Sequence, residues 1–294
     1  MVRQGILTFG LTLCLLAGAK AEPTVKEISP PDTGAGIVMA RGPHRLLVDT
    51  EAPSNGLLLV TLGGTNSKPS DLSAIGDLAG RLGYKVAALD YPNSVISTKA
   101  REVGFPDGFT EFREEVVVGT PVSPIVEVDA TNSIENRLLA LLMSGGADFA
   151  EFVQEGGVRW DKIVVAGHSQ GSGHAAYLGK RHRLQAVLLF AGPQDTGGRG
   201  VSPWLSLAGA TPPESFLALL HRNDFFDCSK QLEAMEKLRE QPEEQFGTDV
   251  IVLNRETKDA HMMVIQPECE PEWKQLLIEA MTRKQIEREK PPSH

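Results

Sequence analysis

Cysteine is scarce in this chain, three residues in 294, which excludes a small disulfide-scaffolded fold. None is needed for stability, because a chain near 300 residues buries about three-quarters of its unfolded surface. Tyrosine and tryptophan are equally sparse, three of each, so no aromatic platform for a polymer stands out. Positive charge is in deficit: 29 Lys and Arg against 38 Asp and Glu, a net charge of −9. A protein that lives on phosphate backbones needs the opposite balance, and nucleic-acid binding is not expected. No internal repeat or low-complexity block is present. No Gly-Lys-Ser/Thr follows Gly63-Gly64, so the phosphate-loop reading fails. What is there, 41% hydrophobic and 23% charged residues, belongs to a globular protein.

The first residues read as a targeting segment. Arg3 supplies a positive start, Ile6–Gly18 is an uncharged apolar run, and Ala19-Lys20-Ala21 forms an A-x-A cleavage site. That is the layout of a secretory signal peptide, and the run is short for a bilayer span. Leu13 before Cys14 does not suit a lipoprotein signal. The expectation is cleavage after Ala21 and a secreted or periplasmic protein. Residues 22–294 would form one domain without a membrane span.

Apolar runs of strand length recur through that domain: Leu57–Leu62, Val86–Leu89, Ile163–Ala166, Ala186–Phe190, Phe216–Leu220 and Val250–Leu253. Ile37–Ala40 and Arg45–Val48 read as two short leading strands, after a Pro- and Gly-rich surface stretch at Glu22–Gly36. Helical patterns lie between the runs, such as Ile75/Leu78/Leu82 behind a Ser70 cap and Ile134/Leu138/Leu141/Leu142 behind an Asn132/Glu135 capping box. Strands alternating with helices predict an α/β fold, a mainly parallel sheet covered on both faces. Residues 93–131 have no strong period. They form a long insertion, expected to be a flap over the active-site edge or a surface loop.

The chemistry concentrates in Gly167-His168-Ser169-Gln170-Gly171, between the Ile163–Ala166 strand and a helix-compatible segment. G-x-S-x-G in that context is a nucleophile elbow, a turn so tight that only small residues fit beside the serine. A serine needs a base, and the base an orienting acid, each after a later strand. His261 follows the Val250–Leu253 run and is the base by elimination. Asp224, after Phe216–Leu220, is the favoured acid, with Asp195 the alternative and Asp227 read as a helix cap. The oxyanion donors would be the Gln170 N–H and an amide of Gly64 or Thr65. His168 and His174 flank the serine without Cys or carboxylate at ligand spacing, so neither a metal nor a cofactor is expected.

The strand–GHSQG–helix block, the Gly63-Gly64 loop and the order Ser169–Asp224–His261 together resemble the α/β-hydrolase superfamily. More narrowly, Gly167–Ala176 with Pro203-Trp204, Thr211-Pro212 and His221-x-x-Asp224 is similar to a group of mostly bacterial exported hydrolases. The resemblance implies hydrolysis of a small ester, thioester or amide through an acyl-enzyme, without a metal. Leu62-Gly63-Gly64 replaces the usual His-Gly of the oxyanion loop and leaves the second donor open between Gly64 and Thr65. An acyltransferase sharing Gly-His-Ser-Gln-Gly is the alternative, although Gln194 stands where the resemblance to those enzymes would want an arginine to hold a carboxylate. A non-catalytic binding protein on the same fold is the other. Oligomeric state is not legible.

Loss of Cys14 with the signal peptide would leave Cys228 and Cys269, just past the proposed acid and base. In an oxidising compartment they are expected to form a disulfide tying the two loops.

Overall fold

The computed structural model describes residues 23–104, 107–197 and 200–283. The proposed signal peptide, its cleavage site and the charged tail after Arg283 lie outside them.

Eight strands form the central sheet: β1 (Thr24–Ile28), β2 (His44–Val48), β3 (Leu58–Leu62), β4 (Lys85–Leu89), β5 (Ile163–His168), β6 (Ala186–Phe190), β7 (Phe216–His221) and β8 (Val250–Leu253). Their spatial order is 1-2-4-3-5-6-7-8. β1 with β2 and β2 with β4 are antiparallel, and every other pairing is parallel. β3, β5, β6 and β7 are buried along their whole length, which is why they read as continuous apolar runs.

Two layers cover this sheet. On one face α3 (Asp107–Val118), α4 (Ile134–Ser144), α5 (Gln170–Arg181) and α6 (Cys228–Arg239) pack on Leu58, Val60, Val165, Val187 and Ala218. On the other, α1 (Ser73–Arg81) and α8 (Glu270–Thr282) pack on Leu59, Val164, Leu188 and Leu217. The alternation along each strand divides the two cores. Strand order and layers are those of the α/β-hydrolase fold.

Three expectations about the elements are corrected. The leading strands are Thr24–Ile28 and His44–Val48, not Ile37–Ala40. β1 is an edge strand with only Ile28 buried, so TVKEI shows no apolar run. The helix caps shift. α1 starts at Ser73 behind a short 3₁₀ turn, Pro69–Leu72, and α4 is capped by Ser133, whose hydroxyl accepts from the Asn136 N–H at 3.3 Å.

The third concerns the insertion at 93–131, which is not a flap through most of its length. It holds α2 (Ala100–Gly104) and α3, and α3 buries Phe109, Phe112, Val116 and Val117 in the larger core. Apolar side chains that pack this completely are structural, and among the described residues of the segment Ile96 lines the cavity described next.

Candidate active site

β5 ends directly beneath Ser169, whose backbone is held at φ 55° and ψ −120°, a conformation uncommon for any residue with a Cβ. The turn is fixed by close packing. A Cβ on Gly171 would lie 2.2 Å from the Leu62 carbonyl oxygen, and one on Gly167 would lie 2.2 Å from the Gly171 carbonyl oxygen. Both contacts are far inside van der Waals range, so glycine is required at each. The Ser169 N–H donates to the Phe190 carbonyl at 2.9 Å, tying the elbow to β6.

His261 comes from α7 (Ala260–Met263), a single turn capped by Asp259, which accepts from the Met262 N–H at 3.0 Å. Its Nε2 is 2.8 Å from Ser169 Oγ, and its Nδ1 is 2.8 Å from Asp224 Oδ2. An ionised carboxylate only accepts, so Nδ1 carries the proton and Nε2 faces the hydroxyl as an acceptor. A hydroxyl, an imidazole and a carboxylate linked in this order are the parts of an activated nucleophile.

Asp224 sits at the end of the loop after β7. Burial by itself would raise its pKa. Hydrogen bonds from His261, the Phe226 N–H (2.9 Å) and Gln231 Nε2 (3.1 Å) outweigh that and hold the carboxyl below its ordinary value. Asp195 is elsewhere. It accepts twice from Arg113, at 3.0 and 2.6 Å, and once from Trp204 Nε1 at 3.0 Å, with both members of the ion pair fully buried. Asp227 caps α6, accepting from the Ser229 N–H at 3.1 Å.

Around the serine, Gln170 is the first residue of α5, so its N–H is among those a helix cannot satisfy internally. Opposite it lies a turn at Gly64–Ser67, closed by the Ser67 N–H donating to the Gly64 carbonyl at 3.1 Å. Asn66 takes φ 62° there, a position where a turn favours Gly or Asn. The Asn66 N–H donates to the Asn93 carbonyl at 3.0 Å. With those two amides occupied, Gly64 and Thr65 remain the donors of this turn that could face the serine. A Cβ on Gly64 would lie 3.0 Å from Ser169 Cβ, so this backbone runs directly against the serine. The Thr65 hydroxyl also donates to Gln170 Oε1 at 2.8 Å, joining the two walls.

These residues open onto a cavity of about 260 Å³ lined by Gly64, Thr65, Ser67, Ile96, Phe225 and Met262 beside Ser169 and His261. None of its lining side chains is a carboxylate, lysine or arginine. Phe225 is 71% exposed, yet its ring stands 4.8 Å from that of His261 and 4.4 Å from Phe226. His168 is not an idle position of the elbow: its Nε2–H donates to the His261 carbonyl at 3.1 Å. Burial, then the neighbouring His261, lowers its pKa to about 4, so it is a neutral support for His261.

Cys228 and Cys269 are free thiols, and the expected disulfide is absent. Cys228 belongs to the core on one face of the sheet and Cys269 to the core on the other, where its Sγ donates to the Met263 carbonyl at 3.2 Å. The task assigned to a disulfide falls instead to His221 at the end of β7. Its Nε2–H donates to the Arg255 carbonyl at 3.0 Å, joining the loops that carry Asp224 and His261. Gln231, Asn93 and Arg113 carry no signal in the sequence, and His221 enters there only as part of the His221-x-x-Asp224 motif. Each acts across the fold, and polar residues lone in sequence carry no periodic signal. No group of three or more His, Cys, Asp or Glu among the described residues is placed to hold a metal ion. No described helix is long and apolar enough to cross a membrane.

No family model and no curated protein matches this chain. Among solved structures it is similar to TT1662 from Thermus thermophilus at 13% identity, covering 90% of this chain and 100% of that one with a TM-score of 0.50. It is also similar to a protein described as a hydrolase of the alpha/beta superfamily from Xanthomonas campestris (16% identity, 77% and 99% coverage, TM-score 0.43). A protein described as a dienelactone hydrolase from Klebsiella pneumoniae gives 14% identity, 89% and 99% coverage and a TM-score of 0.45. At these identities the likeness is one of fold.

Proposed function

We propose that the protein is a serine hydrolase cleaving small carboxylic esters through an acyl-enzyme. The observation that carries this reading is the continuous hydrogen-bonded chain Ser169–His261–Asp224, 2.8 Å at each link, opening on a cavity. In this reading His261 removes the Ser169 proton as the oxygen attacks the ester carbonyl. Asp224 orients the imidazole and stabilises its cation, while the Gln170 N–H and a Gly64 or Thr65 amide receive the oxyanion. His261 then gives its proton to the leaving alcohol and activates the water that hydrolyses the acyl-enzyme. An uncharged lining with Ile96, Phe225 and Met262 at the mouth suits a neutral substrate with a compact apolar group.

Replacement of Ser169 by alanine is expected to lower kcat on p-nitrophenyl butyrate by about 10⁴-fold or more. A variant as active as the parent would overturn the reading. Labelling of Ser169 by a fluorophosphonate without ester turnover would favour acyl transfer, and failure to label would favour a binding protein. The N-terminal segment and its layout also lead us to propose export, tested by the N-terminus of the protein recovered outside the cytoplasm: Glu22 is expected, and Met1 would count against it.

A further inference from the structure

The turn expected to supply the second oxyanion donor is not held by its own backbone alone. Beyond the single Gly64–Ser67 bond, its contacts converge on one side chain from the loop after β4. Asn93 is 2% exposed, and its Nδ2 donates to the Gly64 carbonyl and to the Ser67 carbonyl, each at 2.9 Å. Its own carbonyl accepts the Asn66 N–H at 3.0 Å. The amide is oriented from behind, because Arg41 Nε donates to Asn93 Oδ1 at 3.2 Å, which commits the NH₂ group to the turn. Arg41 also donates through Nη2 to Asn66 Oδ1, while Tyr91 O–H donates to the Gly63 carbonyl just before the turn.

Both protons of one amide therefore bind the carbonyls that open and close the turn, with three further hydrogen bonds fixing the same five residues. Drawing the Gly64 and Ser67 carbonyls toward Asn93 fixes the peptide planes between them. That sets the direction of the Thr65 N–H, which shares a peptide plane with the Gly64 carbonyl, while the Tyr91 bond to the Gly63 carbonyl sets that of the Gly64 N–H. Oxyanion stabilisation depends steeply on such direction, because the donors must aim at where charge develops, not at the ground-state carbonyl.

We propose that Asn93 is a positioning residue for the oxyanion site, oriented by Arg41; this rests on reading Ser169 as the nucleophile. Asn93 touches no reacting atom. It acts by presenting the Gly64–Thr65 backbone to the tetrahedral intermediate.

The test uses the full chain, with Asn93→Ala, Asn93→Asp and Arg41→Ala compared on p-nitrophenyl butyrate. A trifluoromethyl ketone is included because its adduct with serine places an oxyanion in the same site. Asn93→Asp keeps size and the Arg41 contact but removes both donors to the turn. Asn93→Ala and Asn93→Asp are each expected to lower kcat on the order of 10²-fold while KM stays within about threefold. The ketone should weaken by a comparable factor. Arg41→Ala, a partly exposed change that leaves the core intact, is expected to lose about tenfold in kcat with the same bias against the ketone. Thus a failure of the Asn93 variants to fold leaves the idea open to refutation by the arginine. The proposal is overturned if kcat stays within threefold of the parent, or if activity falls without weaker ketone binding. A parent that neither hydrolyses the ester nor reacts with a fluorophosphonate would instead overturn the serine-hydrolase reading itself.

Discussion

Two buried aspartates, Asp224 and Asp195, follow neighbouring strands and differ only in what the chain brings to them. Asp224 receives the imidazole of His261, whereas Asp195 is closed off by Arg113 and Trp204. Substituting each by asparagine separates the two kinds of role. Asp224→Asn is expected to cut kcat by about 10⁴-fold by spoiling the His261 tautomer, with little change in melting temperature. Asp195→Asn leaves a buried guanidinium without its counter-charge, and is expected to cost about 3–5 kcal/mol of stability. Chemical denaturation and ester kinetics on both variants check this. An active Asp224→Asn beside a stable, inactive Asp195→Asn would exchange the assignments. The Arg113–Asp195 pair bears on the site indirectly, since Arg113 Nη1 also donates to the Gln170 carbonyl at 2.8 Å.

At the scale of elements, the site is a meeting of strand ends. β3, β5, β7 and β8 stop at one edge of the sheet, and the residues following them supply the Gly64 turn, Ser169, Asp224 and His261. The α3 helix supports this arrangement from below, through packing and through Arg113. Phe112→Ala, which empties a fully buried ring site, is expected to destabilise the fold by about 3–5 kcal/mol, measured by urea unfolding. A loss under about 1 kcal/mol would return this segment to the status of a detachable flap. Most strands were legible in the sequence because strands buried on both faces are nearly all apolar. β1 was not, because its Thr24–Glu27 residues face solvent, and α3 was missed because Arg113 and Glu115 interrupt its apolar face while being buried through partners elsewhere. Glu115 accepts from the amides of Val122, Ser123 and Val128, so its buried carboxylate is met by backbone donors.

At the scale of the whole molecule, three of the buried histidines are held neutral by burial. Burial lowers His44 to about 3 and His168 to about 4, and puts His174 well below its ordinary value. Unfolding exposes all three to water, where each takes up a proton below pH about 6.5. The unfolded state then binds more protons than the native state, so stability falls as pH drops from about 6.5 toward 4. Three protons correspond to at most about 4 kcal/mol per pH unit. Urea denaturation at pH 7, 6 and 5 is expected to show that decline. A flat profile would mean that the three rings are not neutral in the native protein.

The sequence alone determined the buried strands of the sheet and the elbow, since both follow from local chemistry. Runs buried on two faces must be apolar, and a serine at φ 55° needs glycine on either side of the turn. It also narrowed the partners of Ser169 to His261 and two aspartates. Which aspartate reaches the imidazole depended on loops more than thirty residues apart meeting over the sheet edge. The same holds for Asn93 beneath the Gly64–Ser67 turn and His221 between the loops that carry Asp224 and His261. Whether two cysteines close together in function can bond depended on which side of the sheet each one faces. Those relations arise from packing between distant segments, and only the tertiary structure decided them.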